Sequence, residues 1–511
     1  MRALDVALAL PRRVDVVAKL GANNDVGVGA ERLLEQRFSA TLTVRVGRIE
    51  EVDATIAGMA QERYRLVVGV LTPPTGSDGP DTKTDLGDVD TTGSKRTLFH
   101  NQRVAWVRRA VRGVSFCRVV CPTSGGTRVE AGTVAVRLLT DLQWLDTDSA
   151  LEAGWILIEH DRISDCGHGD PPQSAGATVE SLEGAIVLPG FIDLHCHGGG
   201  GGSYLSGSTE ESRQAALTHR RHGTTTSLGS LASASHDDLL RQIEGLLPLV
   251  ADGTLHGIHL EGPWLAQAYC GAHDPTVLRG VADDELVELL ASGQIAMVTL
   301  APEVSGALAA IPKIVAAGAV VAIGHTGADA AVIKQAIDAG ARVATHLFNA
   351  MPPLHHRQPG PVATLLLDQR VTIELIADLE HVAPTMLEMA VRIAGPDRVA
   401  LVTDAIAAAD DGDGEHRLGE MDVVVSGGVA RLRDGGALAG STLTQDVALR
   451  HLVEVVGVDL SAASTMLSAT PAHALGLTDR GQIAPGLRAD LVVLTPALEV
   501  ADVFRAGERV D

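Results

Sequence analysis

The sequence lacks several features that would assign it to common classes of protein. It has no apolar run of about 18 residues or more, which argues against a transmembrane helix. The apolar stretch at the amino terminus is short, is interrupted by Asp5 and has no convincing cleavage site, so we expect no signal peptide. Five scattered cysteines do not suggest a disulfide framework and favour a reducing, cytoplasmic location.

Basic residues are also scarce. The chain has 41 Lys and Arg against 64 Asp and Glu, a net charge of −23. Residues 134–511 carry 22 basic and 49 acidic residues, whereas residues 1–133 carry 19 and 15. The larger, strongly acidic part argues against nucleic acid and membrane surfaces as partners. An anionic substrate would need a pocket that is locally basic.

The first 130 residues differ from the rest. Residues 72–96 form a polar, turn-rich tract that cannot bury enough apolar surface to offset the entropy of ordering it. No catalytic motif occurs in residues 1–130. We interpret them as an N-terminal extension of unknown function. It is a small extra domain, a disordered segment, or upstream sequence translated from a wrongly assigned start.

Residues 134–511 alternate short apolar runs with segments of helical periodicity, which predicts an α/β fold. The predicted architecture is a (β/α)8 TIM-type barrel formed by residues 189–414 and 435–481. Short strand patterns before and after it predict a small β-sandwich domain from 134–188, 415–434 and 482–511. The eight apolar runs are 191–195, 224–228, 257–260, 295–300, 320–324, 342–345, 371–376 and 398–403.

Six of these runs lead into a His, Glu or Asp at their carboxyl end. His195 and His197 follow the first run and lie on one face of a strand, because strand side chains alternate. Any one such residue is ordinarily structural, but in a barrel all these ends meet at one rim, where active sites are built. The pattern therefore predicts one polar site made of His195, His197, Glu261, His325, His346, His381 and Asp404.

Residues 134–511 resemble the N-acetylglucosamine-6-phosphate deacetylase family of the amidohydrolase superfamily. The matching segments are PGFIDLHCHGGGG, HLEGPW, CGAHDP, GHT, THLFNAMPPLHHRQPG, LVTDA, LAGSTLT and ADLVVL. The combination of HLEGPW with HLFNAM is far more specific than a lone His-x-His. The resemblance implies hydrolysis of N-acetyl-D-glucosamine 6-phosphate to D-glucosamine 6-phosphate and acetate, in amino-sugar catabolism and cell-wall recycling.

The resemblance also implies a metal centre. Glu261, His325 and His346 match the metal-binding residues of the family, and His195 and His197 match a pair that holds a second metal in some members. We expect two divalent cations bridged by Glu261, with a single cation as the alternative. Zinc is the default, although iron or another divalent ion accepts the same nitrogen and oxygen donors.

Asp404 is the implied catalytic residue: it accepts a proton from the attacking water and returns it to the departing amine. His273 or His381 would stabilise the oxyanion. Arg357 would hold the phosphate, and because this arginine can come from the neighbouring subunit in the family, a homodimer is implied. The full implied substrate-binding set is Ala272, His273, Asn349, Ala350, Arg357, His381, Leu438, Ala439 and Gly440.

Two alternatives to this function remain at the level of sequence. A cyclic-amide hydrolase on the same barrel commonly uses a carboxylated lysine as the bridging ligand, but Lys313 and Lys334 are the lysines of the barrel region and neither ends a strand run. A catalytically inactive scaffold would lack ligands, and none is missing. One departure from the family pattern is Leu379, where a glycine is usual.

Overall fold

The computed structural model describes residues 136–145, 151–173 and 176–510, together with four short strands closer to the amino terminus. Among these described residues, no helix has the length and apolar character needed to cross a membrane. Three free cysteines, Cys166, Cys196 and Cys270, belong to the described part of the chain.

The chain divides into two compact units, Met1–Glu130 and Ala131–Asp511. In the first unit β1 pairs with β2 and β3 with β4, both antiparallel. These strands are β1 (Val6–Ala7), β2 (Thr41–Leu42), β3 (Arg109–Val111) and β4 (Val114–Phe116). The rest of the predicted extension 1–130, including its polar tract, lies outside the described residues.

Four long strands open the second unit and belong to its β domain. Leu139 and Ile156 are fully buried in the apolar core of this domain, whereas the residues at the ends of their strands are more exposed. The strands are β5 (Val136–Leu145), β6 (Leu151–Glu159), β7 (Arg162–His168) and β8 (Thr178–Pro189).

The centre of the second unit is a parallel eight-stranded sheet whose strands are hydrogen-bonded in chain order. A two-stranded hairpin, β10 (Gly198–Gly199) with β11 (Gly202–Ser203), follows its first strand. The eight strands are β9 (Phe191–Asp193), β12 (Thr224–Ala232), β13 (Gly257–Glu261), β14 (Ile295–Leu300), β15 (Val320–Ile323), β16 (Val343–Ala344), β17 (Thr372–Ile376) and β18 (Val399–Val402).

The barrel closes between its first and last strands, just beyond their carboxyl ends. The backbone N–H of His197 donates to the carbonyl of Ala405 over 2.7 Å, and that of Asp404 donates to the carbonyl of His195 over 2.8 Å. All eight predicted runs coincide with barrel strands, so the predicted barrel is confirmed. The strands are almost continuously buried because both of their faces are covered, one by helices and one by the barrel interior.

A helical segment follows each barrel strand. Several helices begin at side-chain caps: Ser235 accepts from the N–H of Asp238, and Asp329 accepts from the N–H groups of Ala331 and Val332. The helices are α1 (Thr209–Arg221), α2 (His236–Ala251), α3 (Asp283–Leu290), α4 (Ala307–Ala316), α5 (Ala330–Ala339), α6 (Gly360–Leu367), α7 (Pro384–Ala394), α8 (Gln445–Arg450), which continues as a π-helical turn (His451–Val456), α9 (Leu460–Leu467) and α10 (Ala469–Ala474).

Residues 415–434 differ from the prediction. They do not join the β domain but lie in a separate antiparallel sheet of β19 (Gly414–Leu418), β20 (Met421–Ser426) and β21 (Val429–Leu432). Its buried face packs on Ile406, Ala408 and Ala439, beside the last barrel strand. The segment does form strands, but they belong to a different sheet from the predicted one. Alternation of buried and exposed residues indicates that a strand has one buried face, but it does not indicate which element covers that face.

Three carboxyl-terminal strands complete the β domain: β22 (Leu491–Leu494), β23 (Val500–Arg505) and β24 (Glu508–Arg509). β22 pairs antiparallel with β8, so segments from before and after the barrel share one seven-stranded sheet. The N–H of Ile163 in the edge strand β7 donates to the carbonyl of Leu487, and the sheet thus curves around its own apolar core, which includes Phe504.

Candidate metal centre and active site

The carboxyl ends of the barrel strands bring the predicted metal-binding side chains to one place. Glu261 is the last residue of β13, and the others lie two to four residues beyond the ends of their strands. All are buried, and Glu261 is at their centre, with its two carboxylate oxygens facing different histidines. The residues brought together are His195, His197, Glu261, His325, His346 and Asp404.

The first ligand cluster consists of Glu261 Oε1, His325 and His346. The Nε2 atoms of His325 and His346 are 3.1 and 3.0 Å from Oε1, and they are 3.1 Å from each other. Three donor atoms at such spacing converge on one point.

The second ligand cluster consists of His195, His197, Asp404 Oδ1 and Glu261 Oε2. The Nε2 atoms of the two histidines are 3.0 Å apart. Each lies 3.1–3.3 Å from Glu261 Oε2 and 3.2–3.4 Å from Asp404 Oδ1. Asp404, predicted as the catalytic residue, is thus also within reach of a cation bound by the two histidines.

Both clusters fit a divalent metal ion. Bonds of about 2.0–2.1 Å from zinc to imidazole nitrogen place adjacent ligand atoms roughly 3 Å apart, which matches the spacing of the Nε2 atoms. The donor set of imidazoles and carboxylates suits zinc, iron or another borderline ion. Glu261 offers one oxygen to each cluster and is therefore placed to bridge two ions.

The electrostatics of the two clusters favour positive charge at their centre. Burial disfavours ionisation of Asp404, but the charge of His195 and a hydrogen bond with His197 outweigh it and hold the pKa of Asp404 below its ordinary value. Burial opposes protonation of His197, yet its hydrogen bonds with Asp404 and Glu261 raise its pKa to about 9. The carboxylates are therefore ionised, and a divalent cation would replace the protons that otherwise balance them.

Comparison with known proteins agrees with this geometry. The model of the family described as Amidohydrolase family matches residues 186–510, which include every barrel strand. The chain belongs to the amidohydrolase family.

Relatives of this amidohydrolase carry consistent names. An N-acetylgalactosamine-6-phosphate deacetylase of Escherichia coli O157:H7 is 34% identical over 73% of this chain and 97% of its own length. The human N-acetylglucosamine-6-phosphate deacetylase is 33% identical over 73% of this chain and 92% of its own. A solved structure from Mycobacterium smegmatis, an aspartate-to-alanine mutant of N-acetyl-D-glucosamine-6-phosphate deacetylase in complex with N-acetyl-D-glucosamine-6-phosphate, is 45% identical, covers 74% of this chain and 99% of its own, and has a TM-score of 0.70.

The metal centre of this amidohydrolase forms the floor of a cavity of about 990 Å³. Most of the predicted substrate-binding residues line it: Ala272, His273, Asn349, Ala350, His381, Leu438 and Gly440. Ala439 is fully buried behind the wall. The sheet β19–β21 forms part of the rim through Arg417 and other residues. The segment 415–434, which lies outside the β domain, therefore helps to form the cavity.

Arg357 does not line this cavity. It is exposed in a loop, and its guanidinium lies 2.8 Å from Nε2 of His356. The arginines that do reach the rim are paired with carboxylates: Arg241 with Asp238 over 3.1 Å, Arg417 with Glu420 over 3.3 Å and Arg433 with Glu415 over 3.0 Å. Arg357 is therefore not placed to bind a phosphate in the cavity of its own chain, and its role in phosphate binding remains a prediction.

His273 and His381 are held by neighbouring groups in defined orientations. The N–H of Ser233 donates to Nδ1 of His273 over 3.1 Å, so a neutral His273 carries its proton on Nε2, which lies 3.4 Å from Glu261. Burial lowers the pKa of His273 to about 4. Asp378 accepts from Nδ1 of His381 over 2.6 Å. Burial works against protonation of His381, but Asp378 raises its pKa.

Leu379 shows that the loop retains the geometry usual for glycine. Its φ of +69° lies in the left-handed region, where a leucine side chain costs about 1–2 kcal/mol. Gly440 has a stricter requirement: its φ is +60°, and a Cβ there would lie 2.8 Å from the carbonyl oxygen of Asp404. The loop 438–440 can therefore pack against Asp404 only if it has glycine at this position.

Three buried polar residues near the ligands were missed by the sequence analysis: Asp193, His259 and Glu374. Nε2 of His259 lies 2.8 Å from the Thr299 hydroxyl, and its ring packs edge-on against His195 with 4.7 Å between centroids. Each lies within an apolar strand run, in FID, GIHLE and TIELI. The signal in the sequence is an isolated charged or polar residue inside a fully buried run, whereas the predicted site consists of residues at the run ends.

Asp193, Cys196 and His219 form a third buried group of potential ligand atoms. Asp193 already accepts hydrogen bonds from the N–H of His195 and from the Thr403 hydroxyl. Burial raises the pKa of the Cys196 thiol to about 12, so it is protonated at neutral pH and is a poor metal ligand. We assign this group a structural role beneath the metal centre.

Proposed function

We propose that this amidohydrolase hydrolyses the acetamide of N-acetyl-D-glucosamine 6-phosphate, giving D-glucosamine 6-phosphate and acetate. The observation that carries the proposal is the convergence of both ligand clusters on Glu261, with Asp404 beside them, at the floor of an open cavity. The names of the relatives, at 33–45% identity over about three-quarters of the chain, support this substrate.

The proton transfers fall to Asp404. The two clusters would hold a divalent cation, which when bound would polarise the amide carbonyl as a Lewis acid and acidify water. The lowered pKa of Asp404 keeps its carboxylate ionised, so it accepts a proton as water oxygen bonds to the acetyl carbon. It then delivers this proton to nitrogen as the C–N bond breaks, because an unprotonated amine is a very poor leaving group.

His273 is the donor best placed to stabilise negative charge on the acetyl oxygen. Its Nε2–H faces the Glu261 carboxylate at the cavity floor, and its neutral state is secured by burial. A fixed donor in a buried site stabilises charge that develops in the transition state more than it stabilises the neutral amide. His381, whose ring is held by a hydrogen bond to Asp378, would then orient the sugar.

The finer properties follow from the same site. We propose zinc as the cation, because two imidazoles and a carboxylate in each cluster match its preferred donors. We propose a homodimer in which Arg357 reaches the phosphate of substrate in the partner's cavity, because Arg357 is exposed and does not line the cavity above the ligand clusters of its own chain. The free cysteines of the described chain support a cytoplasmic location.

A second candidate substrate is N-acetyl-D-galactosamine 6-phosphate. The relative from Escherichia coli O157:H7, 34% identical, is named for that sugar. The two sugars differ only in configuration at C4, far from the acetamide.

Acetate release from a panel of acetylated amino sugars tests the substrate. The panel contains both 6-phosphates, both free sugars and a cyclic amide. We expect the highest kcat/KM for N-acetyl-D-glucosamine 6-phosphate, and Arg357→Ala should reduce turnover of the phosphorylated sugar at least about 10-fold more than that of the free sugar. Equal losses on both would reject the phosphate role, and a preference for the cyclic amide would reject the proposed reaction.

A further inference from the structure

Glu374 is a buried carboxylate that the proposed mechanism does not use. It lies in the middle of β17, between Ile373 and Leu375, and is fully inaccessible to solvent. Among the described residues no lysine or arginine pairs with it. Since an uncompensated buried carboxylate is costly, its presence at this point requires a specific partner.

The groups that Glu374 faces belong to both ligand clusters. Its Oε2 lies 3.5 Å from Nδ1 of His195 and accepts a hydrogen bond from the backbone N–H of His346 over 3.3 Å. Its own carbonyl accepts from the N–H of Leu347 over 2.9 Å. Nδ1 of His195 and Oε1 of Glu374 are both buried and have no hydrogen-bond partner among the described residues. The imidazole and the carboxylate therefore face each other without a competitor.

His195 needs such a partner for its ring to act as a ligand. Nε2 of His195 points at the second ligand cluster, so its lone pair is available only if the proton lies on Nδ1. Two other ligand histidines have a backbone carbonyl at Nδ1: that of Ser230 for His197 over 3.1 Å, and that of Tyr269 for His325 over 2.9 Å. At Nδ1 of His195 the nearby acceptor among the described residues is the Glu374 carboxylate.

His346 needs support for a different reason. Its φ of +28° is an unfavourable backbone conformation for a residue with a side chain, at a cost of about 1–3 kcal/mol. The bonds from His346 N–H and Leu347 N–H to Glu374 fix the chain at this bend. One residue of β17 thus contacts a ligand ring of one cluster and the strained backbone of the other.

We propose that Glu374 is a positioning residue for the metal centre, which accepts the Nδ1 proton of His195 and holds the backbone of His346. This inference rests on the proposed metal-dependent function. Carboxylates that accept from a ligating histidine fix its tautomer and raise its basicity, and their loss typically weakens metal binding about 10–100-fold.

Two substitutions separate the charge of Glu374 from its hydrogen bonds. Glu374→Gln keeps an acceptor oxygen and removes the charge, whereas Glu374→Ala removes both. Full-length protein is stripped of metal, and zinc affinity is measured by chelator competition. We expect the zinc Kd to rise about 10-fold for the Gln variant and about 100-fold for the Ala variant. The cobalt-substituted variants should show altered d–d absorption bands, because the position of His195 has changed.

Asp446→Asn is the matched control. Asp446 is also a buried carboxylate of the barrel, but it pairs with His222 and Arg450 and contacts no ligand. It should lose stability in the metal-free form and keep the wild-type zinc Kd. Wild-type Kd and cobalt spectrum in both Glu374 variants, with only a lower melting temperature of the metal-free protein, would overturn the proposal. If the wild-type protein itself bound no metal, the proposed function would fail.

Discussion

The two ligand clusters share Glu261 but are supported in different ways. In the first, His325 and His346 follow strand ends with left-handed backbone, φ +50° and +28°. Nδ1 of His325 donates to the Tyr269 carbonyl in a loop of the cavity wall, whereas Nδ1 of His346 has no partner in the part of the chain that the structure describes. This cluster depends on strained backbone and on a loop near the substrate.

The second cluster is supported by the closure of the barrel. Asp193 accepts from the N–H of His195 over 3.2 Å and from the N–H of Thr403 over 3.3 Å, which joins the segments that carry His195 and Asp404. On the outer side of the same closure, His222 at the end of α1 bonds to Asp446 of α8 over 3.1 Å. Asp404 of the second cluster also has a left-handed backbone, φ +50°, so the difference lies in what holds the segments: a loop of the cavity wall at His325, and hydrogen bonds across the barrel closure at His195 and Asp404.

The largest expected effect is that of Asp404→Asn. Loss of the proton acceptor should reduce kcat by about 10³–10⁴-fold, within the range for general acid–base groups. The first ligand cluster does not include Asp404, so at least one metal equivalent should remain. Acetate release and metal content on the same preparation check both statements. Near-wild-type turnover would remove the proposed role of Asp404.

Substitution of one histidine from each cluster tests whether the clusters bind separate ions. His346→Ala and His195→Ala should each lose one of two zinc equivalents, because each leaves the other cluster intact. Elemental analysis after dialysis measures the stoichiometry. If wild-type protein held a single equivalent that both substitutions removed, the two clusters would serve one ion and the comparison would fail.

Some features of the fold and of the candidate site could be predicted from the sequence, because their signal lies in the order of residues along the chain. The barrel and its ligands were accessible because a polar residue after an apolar run is visible in the chain order, as with Glu261 in HLEGPW. Glu374 and Asp193 support ligands from distant strands, and that relation exists only in three dimensions. The sheet containing 415–434 was misassigned for a similar reason: its partner is chosen by packing on Ile406 and Ala408.

His273→Asn should have a smaller effect than loss of Asp404. Removal of one oxyanion donor typically costs about 10²–10³-fold in kcat. Metal content should stay at the wild-type level if His273 acts on substrate and is not a ligand, although it is 3.4 Å from Glu261. A loss of zinc together with activity would instead place His273 in the first ligand cluster. Since its pKa is about 4, the residue should contribute no inflection to kcat near pH 6–7.

The smallest expected effect is on stability, at the outer side of the barrel closure. Burial disfavours the charge of Asp446, but hydrogen bonds from His222 and Thr444 lower its pKa to about 2. The hydrogen bond with Asp446 in turn raises the pKa of His222. The contribution of Asp446 to the free energy of unfolding is present above its unfolded pKa of about 3.9 and is lost as pH falls through about 2. The contribution of His222 is present below its unfolded pKa of about 6.5 and is lost as pH rises through its raised pKa.

Asp446→Asn should therefore lower the free energy of unfolding most between about pH 4 and 6.5, by about 1–2 kcal/mol, because His222 is partly exposed and solvent screens the pair. The deficit should shrink as pH rises through the raised pKa of His222, because His222 then loses its proton and Arg450 is the remaining partner. Urea denaturation of metal-free wild-type and variant protein at pH 5 and pH 9 measures it, and shared terms from the ligand histidines cancel in the difference. An equal deficit at both pH values would mean that the His222 charge does not contribute to closing the barrel beside the second cluster.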